Sequence, residues 1–383
     1  MWKGDVKTKI GTSTKILLVV FFLYFFLVSI GLMGAAFKGF GKGFAENLIS
    51  TTSNPFVGLF IGVLATSIIQ SSSTTTSIVV GMVGSGVLTV GNAVPIVMGA
   101  NIGTTVTNTI VSLGHVTRRD EFRRAVSAAT VHDFFNLICV AVLFPVELAT
   151  GILQRMATCM SGAFANFGGV KFTSPIKTIT KPVIDSLEHL LIAVSSLSNN
   201  VTYIVMLILS VLILFFCLFF IVKCMKSLVV KKVEMVLDNV LRKNALIGIL
   251  GGMIFTAIIQ SSSVTTSLLV PMVAAGIITV EVAFPITIGA NIGTTGTAIL
   301  ASFASAGATG NMSAIVIAFV HFLFNLAGAL LVYPIKAVRM VPINLAKALG
   351  DLAYRKRRYA VVYVLGLFFF LPTLLILISK CLK

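Results

Sequence analysis

The sequence predicts an all-α polytopic membrane protein with two inverted repeats. Each repeat has a re-entrant helical hairpin, a broken transmembrane helix and a full transmembrane helix. Three observations carry this expectation. Of 383 residues, 57% are hydrophobic and only 11% charged, whereas soluble domains carry about 25% charged residues. Apolar runs of about 20 residues, the length that crosses a bilayer, recur along the chain. Finally, residues 66–105 match residues 256–295 at 26 of 40 positions without a gap. Short alternating segments of the kind that build membrane β-barrels do not appear.

Taken in order, residues 1–53 supply a cytoplasmic segment, a first transmembrane helix at 14–37 and an external loop. This helix has a basic flank like a signal peptide, but it is long enough to span and lacks a small-x-small cleavage site, so it is expected in the mature protein. Repeat 1 covers 54–148, with a hairpin at 54–91, a broken helix at 93–113 and a helix at 125–148. An extracellular loop, 149–200, is expected to hold a short amphipathic helix near 153–164. A transmembrane helix at 201–222 and a basic cytoplasmic loop follow, up to residue 243. Repeat 2 covers 244–335, with a hairpin at 244–280, a broken helix at 282–303 and a helix at 314–333. Residues 336–383 form an interfacial amphipathic segment at 340–356 and a last span at 360–379. Each hairpin arm has about 15 residues, roughly 22 Å of helix, too short for a 30 Å core.

The net charge of +17 does not point to nucleic acid, because of where it sits. Between Asn47 and Thr117 there is no Lys, Arg, Asp or Glu, and between Asn244 and Ile335 only Glu281, read as interfacial. The basic residues cluster at helix ends: Lys3, Lys7, Lys9 and Lys15; Arg118, Arg119, Arg123 and Arg124; Lys223 to Lys243; and Arg355 to Arg358. That is the positive-inside pattern, aided by anionic lipid. With the N-terminus cytoplasmic, these loops all fall inside only if both hairpins re-enter, which gives the repeats opposite orientation. The expected location is a plasma or bacterial inner membrane. Cys139, Cys159, Cys217, Cys224 and Cys381 show neither metal spacing nor a loop pair, so no transition metal, disulfide or cofactor is expected.

The chemistry sits in the duplicated polar strings. Gln70-Ser71-Ser72-Ser73 recurs as Gln260-Ser261-Ser262-Ser263, and Gly99-Ala100-Asn101-Ile102-Gly103-Thr104-Thr105 as Gly289-Ala290-Asn291-Ile292-Gly293-Thr294-Thr295. Such runs are costly in lipid unless partners or a ligand satisfy them. Ser and Thr favour helix N-caps, so the hairpin tips are expected to start helices whose free N–H groups point to the membrane middle. Thr104 and Thr105 are expected to restart the broken helix, with Gly99 and Gly103 permitting unwound backbone. Up to four helix N-termini, each worth about half a positive charge, then converge on an anion site. Gln70, Gln260, Asn101, Asn291 and the threonines offer neutral oxygens suited to Na⁺. No Lys or Arg lies in these strings, so a doubly charged anion needs bound cations, and co-transport is the physical expectation. A single hydroxyl in such a helix more often bonds to the preceding turn or glues helices; two matched eight-residue runs do not fit that description. Asp133 reads as a cation ligand, a proton site or an anchor for a polar neighbour, and repeat 2 has Phe322 in its place. His132 and His321 read as structural hydrogen-bonders.

These strings, with Glu121-Phe122-Arg123-Arg124-Ala125 and Thr130-Val131-His132-Asp133-Phe134, resemble the type II sodium-dependent phosphate cotransporter family from about residue 15 to 371. The resemblance implies Na⁺-driven uptake of inorganic phosphate by a homodimer. It places phosphate between the two tips, at Ser71, Ser72, Ser73, Ser261, Ser262 and Ser263, to which the reading of the break points adds Thr104, Asn101 and Asn291 as candidates. It implies sodium near Gln260, Ser261, Thr294 and Thr297, to which the residues themselves add Gln70 and Asp133 as candidate ligands, and the aspartate implies electrogenic transport. Short tails, an external loop without cysteine pairs and one fewer helix resemble a bacterial form. Carriers of sulfate or a dicarboxylate and an anion channel remain competing readings. A serine enzyme does not, because no Lys or His adjoins the Ser runs and two equal copies do not suit one nucleophile.

Overall fold

The computed structural model describes residues 11–104, 106–167, 175–194, 199–240 and 245–381, and every regular element among them is helical. The first helix, α1 (Thr12–Gly39), leads into α2 (Gly41–Thr52), which meets α3 (Pro55–Ile69) at a 98° bend. Asn54 makes that corner. Its side chain accepts from Phe56 N at 3.0 Å, and Pro55 occupies the first helical position, where its missing N–H costs nothing. A two-residue tip then joins α3 to α4 (Ser72–Gly84). Next come α5 (Val90–Gly103), α6 (Val106–Leu113) and the long α7 (Arg119–Thr150).

Outside the first repeat lie α8 (Ile152–Phe167), α9 (Pro175–Val194) and α10 (Asn199–Val240). Glu147 near the end of α7 turns the chain into α8, its carboxylate accepting from Leu153 N at 2.7 Å and Gln154 N at 3.1 Å, a negative charge at a helix N-terminus. The second repeat runs α11 (Ala245–Ile259), α12 (Ser262–Ala274), α13 (Val280–Thr309) and α14 (Ser313–Val332). The chain closes with α15 (Lys336–Arg355), α16 (Arg358–Val364), a π-helical stretch (Leu365–Phe370) and α17 (Leu371–Cys381). Among the described residues, seven helical stretches are long and apolar enough to cross a membrane, or eight if the bent α2–α3 pair is one span. They overlap the seven segments expected from sequence.

The two repeats are tied together internally in the same way. A Cβ on Gly62 would strike the Ile96 carbonyl, one on Gly99 the Leu59 carbonyl, and one on Gly103 the Val63 carbonyl. In repeat 2, Gly252, Gly289 and Gly293 meet Ile286, Ile249 and Met253 in the same manner. Glycines four apart let α3 touch α5, and α11 touch α13, backbone to backbone. Gly99 and Gly103 therefore do not serve the unwound backbone expected of them; both are helical and exist for close approach.

The helix breaks also differ between the copies. The first copy does interrupt, after Gly103, with α6 resuming at Val106; Thr105 lies outside the described residues. The break expected within 282–303 is absent, because α13 runs on through Gly289–Gly293. Its hydroxyls turn back onto the helix, Thr294 donating to Ala290 O at 2.9 Å and Thr295 to Ile292 O at 2.6 Å. Two further differences concern connections. The segment expected to be external holds a second helix, α9, and the basic stretch after residue 222 continues α10 rather than forming a loop. Asn244, matched in sequence to Asn54, lies outside the described residues.

Candidate functional site

Gln70 and Gln260 stand at the two hairpin tips and are the only non-glycine residues with positive φ among those described, at 60° and 64°. A left-handed backbone there costs an L-residue roughly 1–2 kcal/mol, and such strain persists where the surroundings hold it. The side-chain amides supply that hold. Gln70 Nε2 donates to Ser67 O at 2.6 Å and Gln260 Nε2 to Ala257 O at 2.5 Å. On the other side, Thr107 donates to Gln70 Oε1 at 2.9 Å and Thr297 to Gln260 Oε1 at 2.6 Å.

The serine after each glutamine caps the returning helix. Ser71 Oγ accepts from Thr74 N at 3.2 Å and Ser261 Oγ from Val264 N at 3.4 Å. The tips meet directly, with Ser73 Oγ donating to Gln260 O at 3.4 Å. Between them lies a cavity of about 210 Å³ lined by Ile69 to Thr74 and Gln260 to Ser263, with Phe215, Leu218, Phe219 and Val222 of α10 as the remaining wall. No charged side chain lines it. Two of the four expected helix N-termini therefore reach the cavity: α13 is continuous and supplies none, and α6, which begins at Val106, does not line it.

Of the residues singled out from sequence, Gln70, Ser71, Ser72, Ser73, Gln260, Ser261, Ser262 and Ser263 share this cavity. Thr297 stands behind Gln260, and Thr294 lies nearly one turn earlier on the same helix, its hydroxyl turned to Ala290 O. Thr104 likewise turns to its own helix, donating to Ala100 O at 3.0 Å. Thr104, Asn101 and Asn291 do not line the cavity.

The two asparagines instead join the repeats. Asn291 Oδ1 pairs with His132 Nε2, and Asn291 Nδ2 donates to Asn136 Oδ1 at 2.7 Å. Asn136 Nδ2 donates to Asn101 O at 2.9 Å, and His321 Nε2 lies 3.4 Å from Asn101 Oδ1. Each histidine thus reaches the asparagine of the opposite repeat, and all five of these residues are buried.

Asp133, wholly buried on α7, interacts with Tyr363 of α16 and stands apart from the cavity lining. Sequence reasoning missed Thr107, although it lies 190 positions before Thr297, the offset of the repeat. It also missed Asn108, whose Oδ1 accepts from Thr266 at 2.8 Å across the repeats. The α10 wall carried no signal, being apolar residues in an apolar helix.

Comparison with known proteins gives the same direction. A family model described as Na⁺/Pi-cotransporter matches residues 25–173 and 212–338. Sodium-dependent phosphate transport protein 2B of Homo sapiens is 38% identical, over 97% of this chain and 66% of that protein. The 2B protein of Pongo abelii is also 38% identical, with the same coverage. Sodium-dependent phosphate transport protein 2A of Rattus norvegicus is 37% identical, over 97% of this chain and 69% of its own length. The chain thus spans about two thirds of these relatives. No solved structure matches it.

Proposed function

Because the chain belongs to the Na⁺/Pi-cotransporter family, we propose that it is a secondary active symporter, coupling inward Na⁺ movement to uptake of inorganic phosphate. The observation that carries this reading is the pair of serine-capped N-termini, α4 and α12, meeting at one neutral cavity. Each contributes about half a positive charge, so together they offset about one of the two charges of dibasic phosphate. With no Lys or Arg in the lining, Na⁺ supplies the rest, and a low-dielectric setting makes that requirement strict.

In this reading Ser71, Ser72, Ser73, Ser261, Ser262 and Ser263 hold phosphate. Gln260, Ser261 and Thr297 hold a sodium ion, with Thr294 on the same helix. Gln70 and Thr107 repeat that arrangement. Asp133 adds a further cation and makes transport electrogenic. The hairpins are re-entrant and the repeats inverted, and alternating access proceeds across the interface between them. The chain works as a homodimer in the cell membrane with its N-terminus in the cytoplasm.

Radiolabelled phosphate uptake into proteoliposomes tests the reading, with sulfate, arsenate and succinate as competitors. Concentrative uptake that follows an imposed Na⁺ gradient is expected. Preference for sulfate or succinate assigns another oxyanion, and downhill flux alone assigns a channel.

A further inference from the structure

Helices α1 and α10 run antiparallel. Gly39 of α1 lies under the Tyr203 ring, which an added Cβ would strike, and the Phe22 ring packs on Phe216 and Phe220, with centroids 5.9 and 5.1 Å apart. Between the two helices lies a groove of about 410 Å³, with Phe21, Phe22 and Phe25 on one side and Leu212, Ile213 and Phe216 on the other. No side-chain nitrogen or oxygen lines it, and Phe21, Leu212 and Phe216 are each more than half exposed. An open apolar surface of this kind, in a chain that spans a bilayer, meets hydrocarbon.

Charge at one end sets this groove apart from an ordinary lipid-facing crevice. Lys15 lies seven residues before Phe22, and Lys223 seven after Phe216. Seven residues make close to two turns, so each lysine stays on the stripe of its helix that carries the groove ring. Because the helices are antiparallel, both cations stand beyond the same end of the groove, about 10 Å along the axes from those rings. Lys223 Nζ lies 5.8 and 5.6 Å from the Phe219 and Phe220 rings, and Phe220 is the ring stacked on Phe22. No Asp or Glu occurs in residues 12–39 or 199–233. Among the described residues, no ion pair involves either lysine.

We propose that this groove is a binding site for an anionic phospholipid, with an acyl chain lying between α1 and α10 and the headgroup phosphate held by Lys15 and Lys223. Such a lipid matches both features at once, hydrocarbon for the rings and negative charge for two cations without an acidic partner. Two lysines at one membrane-surface position favour an anionic over a zwitterionic lipid by about tenfold or more. Phe219, beside Lys223, belongs to the wall of the cavity between the hairpin tips, so the bound lipid borders that cavity through α10. The inference does not rest on the phosphate reading, because lipid binding is measured without transport.

The purified full chain, in detergent and phosphate-free buffer, is titrated with phosphatidylglycerol and with phosphatidylcholine of the same chains, and thermal stabilisation is read. Phosphatidylglycerol is expected to act at about one tenth of the concentration or less. In Lys15→Gln with Lys223→Gln that preference should fall to about twofold or less, whereas Lys15→Arg with Lys223→Arg should keep it. Lys38→Gln, at an exposed lysine near the opposite end of α1, should also keep it, which separates a site from general attraction to a basic protein. Leu212→Trp fills the groove and should weaken both lipids. Equal stabilisation by the two lipids, a preference that survives in the doubly neutralised variant or is lost equally in Lys38→Gln, or undiminished binding in Leu212→Trp overturns the proposal. Glycerol phosphate matching phosphatidylglycerol also overturns it, assigning a site for free phosphate. So does lipid-insensitive stability with a shift from dimer to monomer in Leu212→Trp, which assigns the groove to a second copy of the chain.

Discussion

Thr297 donates its hydroxyl to Gln260 Oε1 over 2.6 Å, and Gln260 is at once the left-handed residue that turns hairpin tip two. One threonine on α13 therefore fixes both the backbone turn and the orientation of an amide oxygen behind Ser261. If that oxygen belongs to a sodium site, Thr297→Ala frees it to rotate. A lost hydrogen bond of about 1–1.5 kcal/mol corresponds to a five- to tenfold rise in the Na⁺ concentration giving half-maximal uptake. Titrating Na⁺ at saturating phosphate measures it, and an unchanged midpoint moves sodium away from Gln260.

The opposed tips leave little room for a bulky adduct. Ser72 and Ser262, each the first residue of its returning helix, are both at the cavity. In a background lacking the exposed cysteines Cys159 and Cys381, Ser72→Cys and Ser262→Cys should lose transport on reaction with a large thiol reagent. Phosphate with Na⁺ should slow the reaction. Full activity after complete labelling would place the substrate elsewhere.

Asp133 interacts with Tyr363 and does not line the cavity, so the electrogenic role proposed for it is separable from the proposed phosphate site. Asp133→Gly is expected to retain Na⁺-dependent uptake while abolishing phosphate-evoked current. Potential-controlled uptake in proteoliposomes decides it, and a persisting current contradicts the role assigned to the carboxylate.

The close helix crossings give a stability test with an internal control. A methyl on Gly62 or Gly252 meets backbone carbonyls, Ile96 and Ile286, which cannot swing away. Gly251, one residue before Gly252, has nothing within 4 Å of an added Cβ. Gly62→Ala and Gly252→Ala should each cost about 1–3 kcal/mol, the usual penalty of overpacking. Gly251→Ala should be neutral or slightly stabilising. Thermal melting in detergent, followed by size-exclusion fluorescence, reports the difference.

The tips were legible because polar residues inside apolar helices carry information and the duplication doubled it. The offset of 190 that matched Gln70 with Gln260 also pairs Thr107 with Thr297, which needed only the same arithmetic. The roles of Asn101 and Asn291 were not legible. Both repeats read Gly-Ala-Asn-Ile-Gly, yet one string ends its helix and the other runs on inside α13, a difference the shared residues do not encode. Phe215, Leu218, Phe219 and Val222 were hidden for another reason. On a helix apolar all round, sequence cannot separate a face that meets lipid from one that meets a cavity.

The histidine–asparagine network supplies the last prediction. Asn291 serves two buried partners at once, His132 through Oδ1 and Asn136 through Nδ2, whereas Asn325 donates only to His321 O at 3.0 Å. Asn291→Leu leaves two buried polar atoms unsatisfied in the partners, each costing about 1–3 kcal/mol, and it severs a bond between repeats. Asn325→Leu leaves one carbonyl that already accepts within its helix. Asn291→Leu should therefore lower the melting temperature well beyond Asn325→Leu, by an amount equivalent to about 2 kcal/mol or more. Adding His132→Leu to Asn291→Leu should recover part of the loss, because removing both members of a buried polar pair costs less than removing one. Additive destabilisation in the double variant would show that the two side chains are not coupled across the repeats.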